Sequence, residues 1–159
     1  GISGLVLVGV DHLPQEMLAS GNEVSLPIAL TGALTGATIL EVPFVGIKGQ
    51  RVVIDVEAHR LAAKLNPVVR LIDERGTQIA WSDANSVIGD DARIDLMLPA
   101  DGRYRVRLHD ALYRGTGPGH FRLKIGDLQY ADFTLPLGVE VGEPVKLSII
   151  GSQAQQAAV

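Results

Sequence analysis

The sequence predicts an all-β fold: an antiparallel, jelly-roll-like β-sandwich of about eight to ten strands. Two observations lead to this prediction. Apolar and polar residues alternate along several short segments, which is typical of strands with one buried face. Turn-forming Gly, Pro, Asn and Asp separate these segments at intervals of roughly ten residues. No stretch shows the longer apolar period of a substantial amphipathic helix, so we expect two facing layers of strands around one core.

Each predicted strand is a short apolar or alternating run that ends at turn residues. Prolines interrupt the second and third runs, which places those strands at a sheet edge or a bulge. Between the strands, 15–20 is expected to form one helical turn or an irregular linker, and a proline ends the short run of helix formers at 61–65. In chain order, strands are predicted at 4–10, 24–31, 39–45, 51–58, 68–73, 77–82, 92–98, 103–110, 120–126 and 145–150.

Composition limits the classes of function. The 159 residues are 47% apolar and 20% charged, enough for one ordinary domain with flanking pieces. The net charge of −4 argues against general nucleic-acid binding. The absence of cysteine excludes disulfides, thiolate catalysis and cysteine-ligated zinc. No apolar run is long enough to span a bilayer, and no signal peptide is predicted within this stretch.

A series of short motifs occurs in order between Glu16 and Gly126. They are Leu26–Gly32, Phe44–Gln50, Val52–Ala58, Leu65–Asp73, Ile79–Asp83, Leu98–Asp110 and Phe121–Gly126. Their order and spacing resemble the bacterial pre-peptidase C-terminal domain, a secreted β-sandwich module. The flanks look like parts of immunoglobulin-like repeats.

The resemblance implies three parts. Residues 1–14 would be a strand and linker from a preceding immunoglobulin-like repeat, and 15–127 the β-sandwich module. Residues 128–159 would be a linker and the first strand of a following repeat, with a frayed tail from 152. The resemblance further implies a non-catalytic module of a larger bacterial protein, either secreted or at the cell surface. Related modules accompany peptidases and polysaccharide-degrading enzymes, and bind substrate, collagen, glycan or calcium.

A cationic face is the first candidate site. Alternation over 103–109 turns its arginines to one side, and 120–126 repeats the pattern. If the two strands are antiparallel neighbours, the cations form one patch of two rows, which could bind the sulfate or carboxylate groups of an anionic polysaccharide. Alternatively, these cations pair with Asp55, Glu57 or Asp95 on neighbouring strands. The candidate ligand-binding residues are Arg103, Arg105, Arg107, Arg122, Lys124 and, beside a glycine-rich loop, the aromatic Tyr113.

An acidic loop is the second candidate site. Calcium prefers several oxygen ligands, and a flexible loop rich in Asp and Asn can supply them. Alternatively, the same side chains cap turns through their own backbone. The candidate calcium ligands are Asp83, Asn85, Asp90 and Asp91.

Catalysis is not predicted. The sequence has four histidines but no Gly-x-Ser-x-Gly elbow and no His-Glu-x-x-His motif. Trp81 shares a predicted strand face with Ile79 and is expected in the core. We therefore expect an interaction or spacer domain, or alternatively a carbohydrate-binding module attached to a secreted hydrolase. Expected partners are neighbouring domains of the same chain and a polysaccharide or extracellular protein, with no nucleic acid and no membrane span.

Overall fold

A computed structural model describes residues 7–115, 117–142, 144–152 and 155–158. The chain divides after Asp127 into two compact units. Strands in the first unit are β1 (Gln15–Met17), β2 (Ile28–Ala33), β3 (Ile39–Gly46), β4 (Arg51–Glu57), β5 (Pro67–Ile72), β6 (Gln78–Ser82), β7 (Arg93–Met97), β8 (Gly102–Asp110) and β9 (His120–Gly126). Those in the second are β10 (Ala131–Leu135), β11 (Lys146–Gly151) and β12 (Gln155–Ala158).

The first unit contains two sheets. Sheet A has the strand order β1-β2-β9-β4-β7, and sheet B has the order β3-β8-β5-β6. Their strands pair antiparallel except for β1 with β2, and an isolated parallel bridge joins Val24 to Phe44 of β3. The second unit is a three-stranded sheet in the order β10-β11-β12. The predicted all-β, antiparallel sandwich is confirmed.

The core contains side chains from both sheets. On β8, Tyr104, Val106 and Leu108 are buried, as the alternation predicts, and on β9 Phe121 and Leu123 are buried. Because one face of each sheet is apolar, burying the two faces against each other removes both from water. The polar faces of sheets A and B are left on the outside of the sandwich.

Trp81 differs from its prediction, because 56% of its surface is exposed. The β5–β6 pairing has a bulge: Leu71 lies opposite Ala80, but Ile72 lies opposite Gln78. A bulge breaks strict alternation along a strand. Ile79 and Ala80 both pack against the core, and Trp81 lies outside it.

The terminal segments also differ from their predictions. Part of the strand predicted at 4–10 lies outside the described residues, and 7–10 is not in a strand. Residues 15–20, expected to form a helical turn or an irregular linker, begin instead with β1, which pairs with β2. Where a frayed tail is expected, β12 pairs with β11. This pairing is made by backbone hydrogen bonds, which do not require an alternating apolar pattern in the sequence. The assignment of both ends to neighbouring repeats stays a prediction.

Candidate ligand-binding face

The outer face of sheet A carries a dense ion-pair network. At its centre is the Asp55 carboxylate, which is 3% exposed. It lies 2.8 Å from Arg60 Nη2, 3.2 Å from Arg93 Nε and 2.9 Å from Lys124 Nζ. Buried charges are tolerated only when paired in this way, so the network is part of the fold.

Arg122 and Lys124 belong to this network. Glu57 contacts Lys124 at 2.6 Å and Arg122 at 3.3 Å, and Asp11 contacts Arg122 at 2.7 Å. The pairing with Asp55 and Glu57 is the alternative that the sequence left open. Little of the two cationic side chains is accessible to a ligand.

The expectation of one two-row cationic patch is wrong. Strand β8 is in sheet B and β9 is in sheet A. The polar faces of the two sheets are on opposite sides of the sandwich, so Arg122 and Lys124 do not join the arginines of β8.

Asp91, a candidate calcium ligand, is fully buried beside the network. Its carboxylate accepts hydrogen bonds from the backbone N–H groups of Ala58, at 2.9 Å, and His59, at 2.7 Å. It also accepts one from Arg60 Nε at 2.8 Å. These bonds fix the chain where β4 ends.

The remaining candidate calcium ligands lie in the loop before β7. Asn85 Oδ1 accepts a hydrogen bond from Val87 N–H, which is the turn-capping role. Asp83 and Asp90 are exposed. The described residues contain no group of three or more His, Cys, Asp or Glu side chains placed to hold a metal. Calcium binding stays a prediction.

The outer face of sheet B has a different organisation, which the register defines. Glu41 on β3 lies opposite Arg107 on β8, which lies opposite Arg70 on β5, which in turn lies opposite Trp81 on β6. Along β8 the adjacent outward residue is Arg105, followed by Arg103. We call Arg70, Trp81, Arg103, Arg105 and Arg107 the arginine face.

Carboxylates on this face are fewer than guanidinium groups. Glu41 contacts Arg107 at 2.6 Å and Arg105 at 4.0 Å, and Glu23 contacts Arg103 at 3.3 Å. Arg70 donates to Gln78 Oε1 at 3.0 Å and makes no ion pair with any described residue. Among the described residues, these contacts set four guanidinium groups against two carboxylates, so the face carries an excess of positive charge although the chain has a net charge of −4.

Tyr113 lies at the end of β8 beside this face. Its ring stacks on His109 with centroids 4.5 Å apart and planes 6° apart, and 44% of its surface is exposed. The His109 ring is buried and contacts the backbone oxygen of Asp110 through Nδ1, at 3.0 Å.

The Asp110 carboxylate holds the loop that carries Tyr113. It accepts hydrogen bonds from the N–H groups of Leu112 and Arg114. Burial alone would raise the pKa of Asp110, but these bonds and one from Asn66 hold that pKa below its ordinary value. The loop is therefore anchored at the end of sheet B.

Sequence reasoning missed Arg70 and misplaced Trp81. The one available signal was that Arg70 interrupts the apolar run 68–73. Its place beside Arg107 depends on the pairing of β5 with β8, which no local pattern encodes.

The network on sheet A predicts acid sensitivity. Burial alone would raise the pKa of Asp55, but Arg60 and Lys124 outweigh burial and lower that pKa below its ordinary value. A lowered pKa stabilises the folded state above the unfolded pKa, and this stability is lost as pH falls through the folded pKa. We expect the free energy of unfolding to decrease as the pH falls below about 4.

Urea titrations at each pH measure this decrease. Asp55→Asn should be less stable at neutral pH and should show a shallower decrease in acid. Stability that rises on acidification, or an unchanged acid profile in Asp55→Asn, would contradict the role of this carboxylate.

None of the described residues forms a helix long and apolar enough to cross a membrane.

No protein-family model matches the chain, and no curated protein matches it. Solved structures, however, do match the chain. The pre-peptidase C-terminal domain of collagenase from Bacillus anthracis superposes with a TM-score of 0.53 at 18% identity, covering 72% of this chain and 99% of that domain. PliG of Aeromonas hydrophila, a periplasmic inhibitor of g-type lysozyme, superposes with a TM-score of 0.49 at 17% identity, covering 72% of this chain and 94% of PliG. This chain has the β-sandwich fold of a pre-peptidase C-terminal domain.

Proposed function

We propose that the chain is a non-catalytic, extracellular module of a larger bacterial secreted or surface protein, and that it acts through a binding face. The observation that carries the proposal is the contrast between the two outer faces. On sheet A the cations are engaged in ion pairs within the fold. On sheet B, Trp81 is exposed, and the partly exposed Arg70 makes no ion pair with any described residue.

Two further points support this role. The sequence has neither a Gly-x-Ser-x-Gly elbow nor a His-Glu-x-x-His motif. The B. anthracis neighbour is a domain of a collagenase, so the same fold occurs as one domain of a larger enzyme.

A second candidate function is a carbohydrate-binding module attached to a secreted hydrolase. The exposed Trp81 favours it, because the apolar face of a sugar ring can stack on an indole. Tyr113 offers a second, smaller aromatic surface.

Glycan arrays and melting curves test the proposal. A binding module should retain at least one class of extracellular polymer and melt at a higher temperature in its presence. A pure spacer would retain none and would show no ligand-dependent shift. A calcium titration of the same melting curves tests the acidic loop, where a shift of several degrees would support calcium binding.

A further inference from the structure

We infer that the arginine face binds an anionic polysaccharide, with a sugar ring on Trp81 and the acidic groups of the chain on Arg70, Arg105 and Arg107. This inference rests on the proposed binding function and names its ligand class. It adds Arg70 and Trp81 to the residues expected from sequence and removes Arg122 and Lys124.

The register of β6, β5 and β8 sets the spacing of these contacts, because it places three side chains in one row across the strands. Trp81, Arg70 and Arg107 are directly opposite one another on three adjacent strands. Neighbouring strands are about 4.8 Å apart, so the row extends over about 10 Å. A polymer that crosses the strands would place a ring on the indole and successive acidic groups over two guanidinium groups.

The charges of the arginine face are only partly neutralised, because Arg107 is paired with Glu41 at 2.6 Å but Arg70 makes no ion pair with any described residue. Arg70 Nη1 donates to the neutral Gln78 Oε1 at 3.0 Å. The acidic contact of Arg105 within the described part of the chain is the long one to Glu41, at 4.0 Å. A guanidinium group binds sulfate or carboxylate through paired N–H donors, so an anionic ligand would supply the counter-charge that the fold does not.

The layout favours a polysaccharide over a protein partner. Protein interfaces usually have an apolar, desolvated centre depleted of charged residues and a polar rim. Here the arginines are on the central strands β8 and β5, whereas Trp81 is on the edge strand β6. A protein partner would have to desolvate those central charges, which is costly unless each charge is paired. A hydrated polyanion can pair with the arginines while they remain partly in water.

The test uses the 159-residue chain and four immobilised polymers: dextran sulfate, unmodified dextran, polygalacturonate and polyglutamate. We expect dextran sulfate, polygalacturonate or both to be retained, and unmodified dextran not to be. The affinity should weaken as NaCl rises from about 50 mM to about 200 mM, because ion contacts release counterions. Comparing dextran sulfate with polygalacturonate shows whether the face binds sulfate groups or carboxylate groups.

Variants locate the site. Arg70→Gln combined with Arg105→Gln should weaken binding by about tenfold or more, and Trp81→Ala by about threefold to tenfold. The matched control is Arg75→Gln, which removes one exposed positive charge at the β5–β6 turn and should change the affinity by less than about twofold. Melting curves establish that each variant is folded.

Other results of these binding measurements would each contradict one part of the inference. If Arg75→Gln weakens binding as much as the double variant, the attraction is non-specific and the site is wrong. If polyglutamate binds as well as the sugar polymers and Trp81→Ala has no effect, the ligand class is wrong. If the chain retains unmodified dextran alone, the inference fails but the binding function stands. If neither the four polymers nor a wider glycan array binds the chain, the inference and the proposed binding function are both wrong.

Discussion

Replacing Asp91 with alanine is expected to lower the free energy of unfolding of the first unit by about 3–5 kcal/mol. The carboxylate is fully buried and accepts hydrogen bonds from Ala58 N–H, His59 N–H and Arg60 Nε. Its loss leaves these donors without their acceptor and a partly buried guanidinium with one partner fewer. Urea unfolding followed by the fluorescence of Trp81, the single tryptophan, measures the change.

The matched control for this prediction is Asp83→Ala. Asp83 is an exposed carboxylate at the start of the same loop, and its removal should change stability by less than about 0.5 kcal/mol. Equal losses in the two variants, or a loss below about 1 kcal/mol in Asp91→Ala, would show that the carboxylate does not hold the end of β4.

Phe44→Ala is expected to destabilise the first unit by a similar amount, about 3–5 kcal/mol. The Phe44 ring is completely buried and stacks on Tyr104 of the neighbouring strand, with centroids 5.7 Å apart. Truncation to alanine loses the transfer free energy of the ring and leaves a cavity between the sheets. Urea unfolding measures the loss.

Val45→Ala is the control for that substitution. Val45 follows Phe44 on the same strand but is 56% exposed, so the change should cost less than about 1 kcal/mol. If the two substitutions had the same effect, the inward and outward assignment of β3 would be wrong.

Much of the sandwich could be predicted from the sequence because alternation is local. On β8 the alternation correctly separates the buried Tyr104, Val106 and Leu108 from the outward Arg105 and Arg107. The same periodicity cannot tell which sheet a strand joins. Two strands adjacent in the chain can pair or can lie in opposite layers, and β8 and β9 lie in opposite layers.

The arginine face could therefore be predicted only in part. Its β8 arginines follow from sequence, but Arg70 joins them only because β5 pairs with β8. Trp81 joins them because a bulge at Ile79 breaks the alternation that would have put Ile79 and Trp81 on one face, and nothing in the run 77–82 indicates that bulge. Long-range pairing and irregular register are the physical reasons for both errors.

The most direct measurement is amide NMR of the 159-residue chain during titration with a short sulfated dextran oligosaccharide. We expect the shift changes to concentrate on β5, β6 and β8, with the Trp81 indole N–H among the largest. Shift changes concentrated instead on β4 and β9, around Asp55 and Lys124, would contradict the division of the sandwich into a binding face and a structural one.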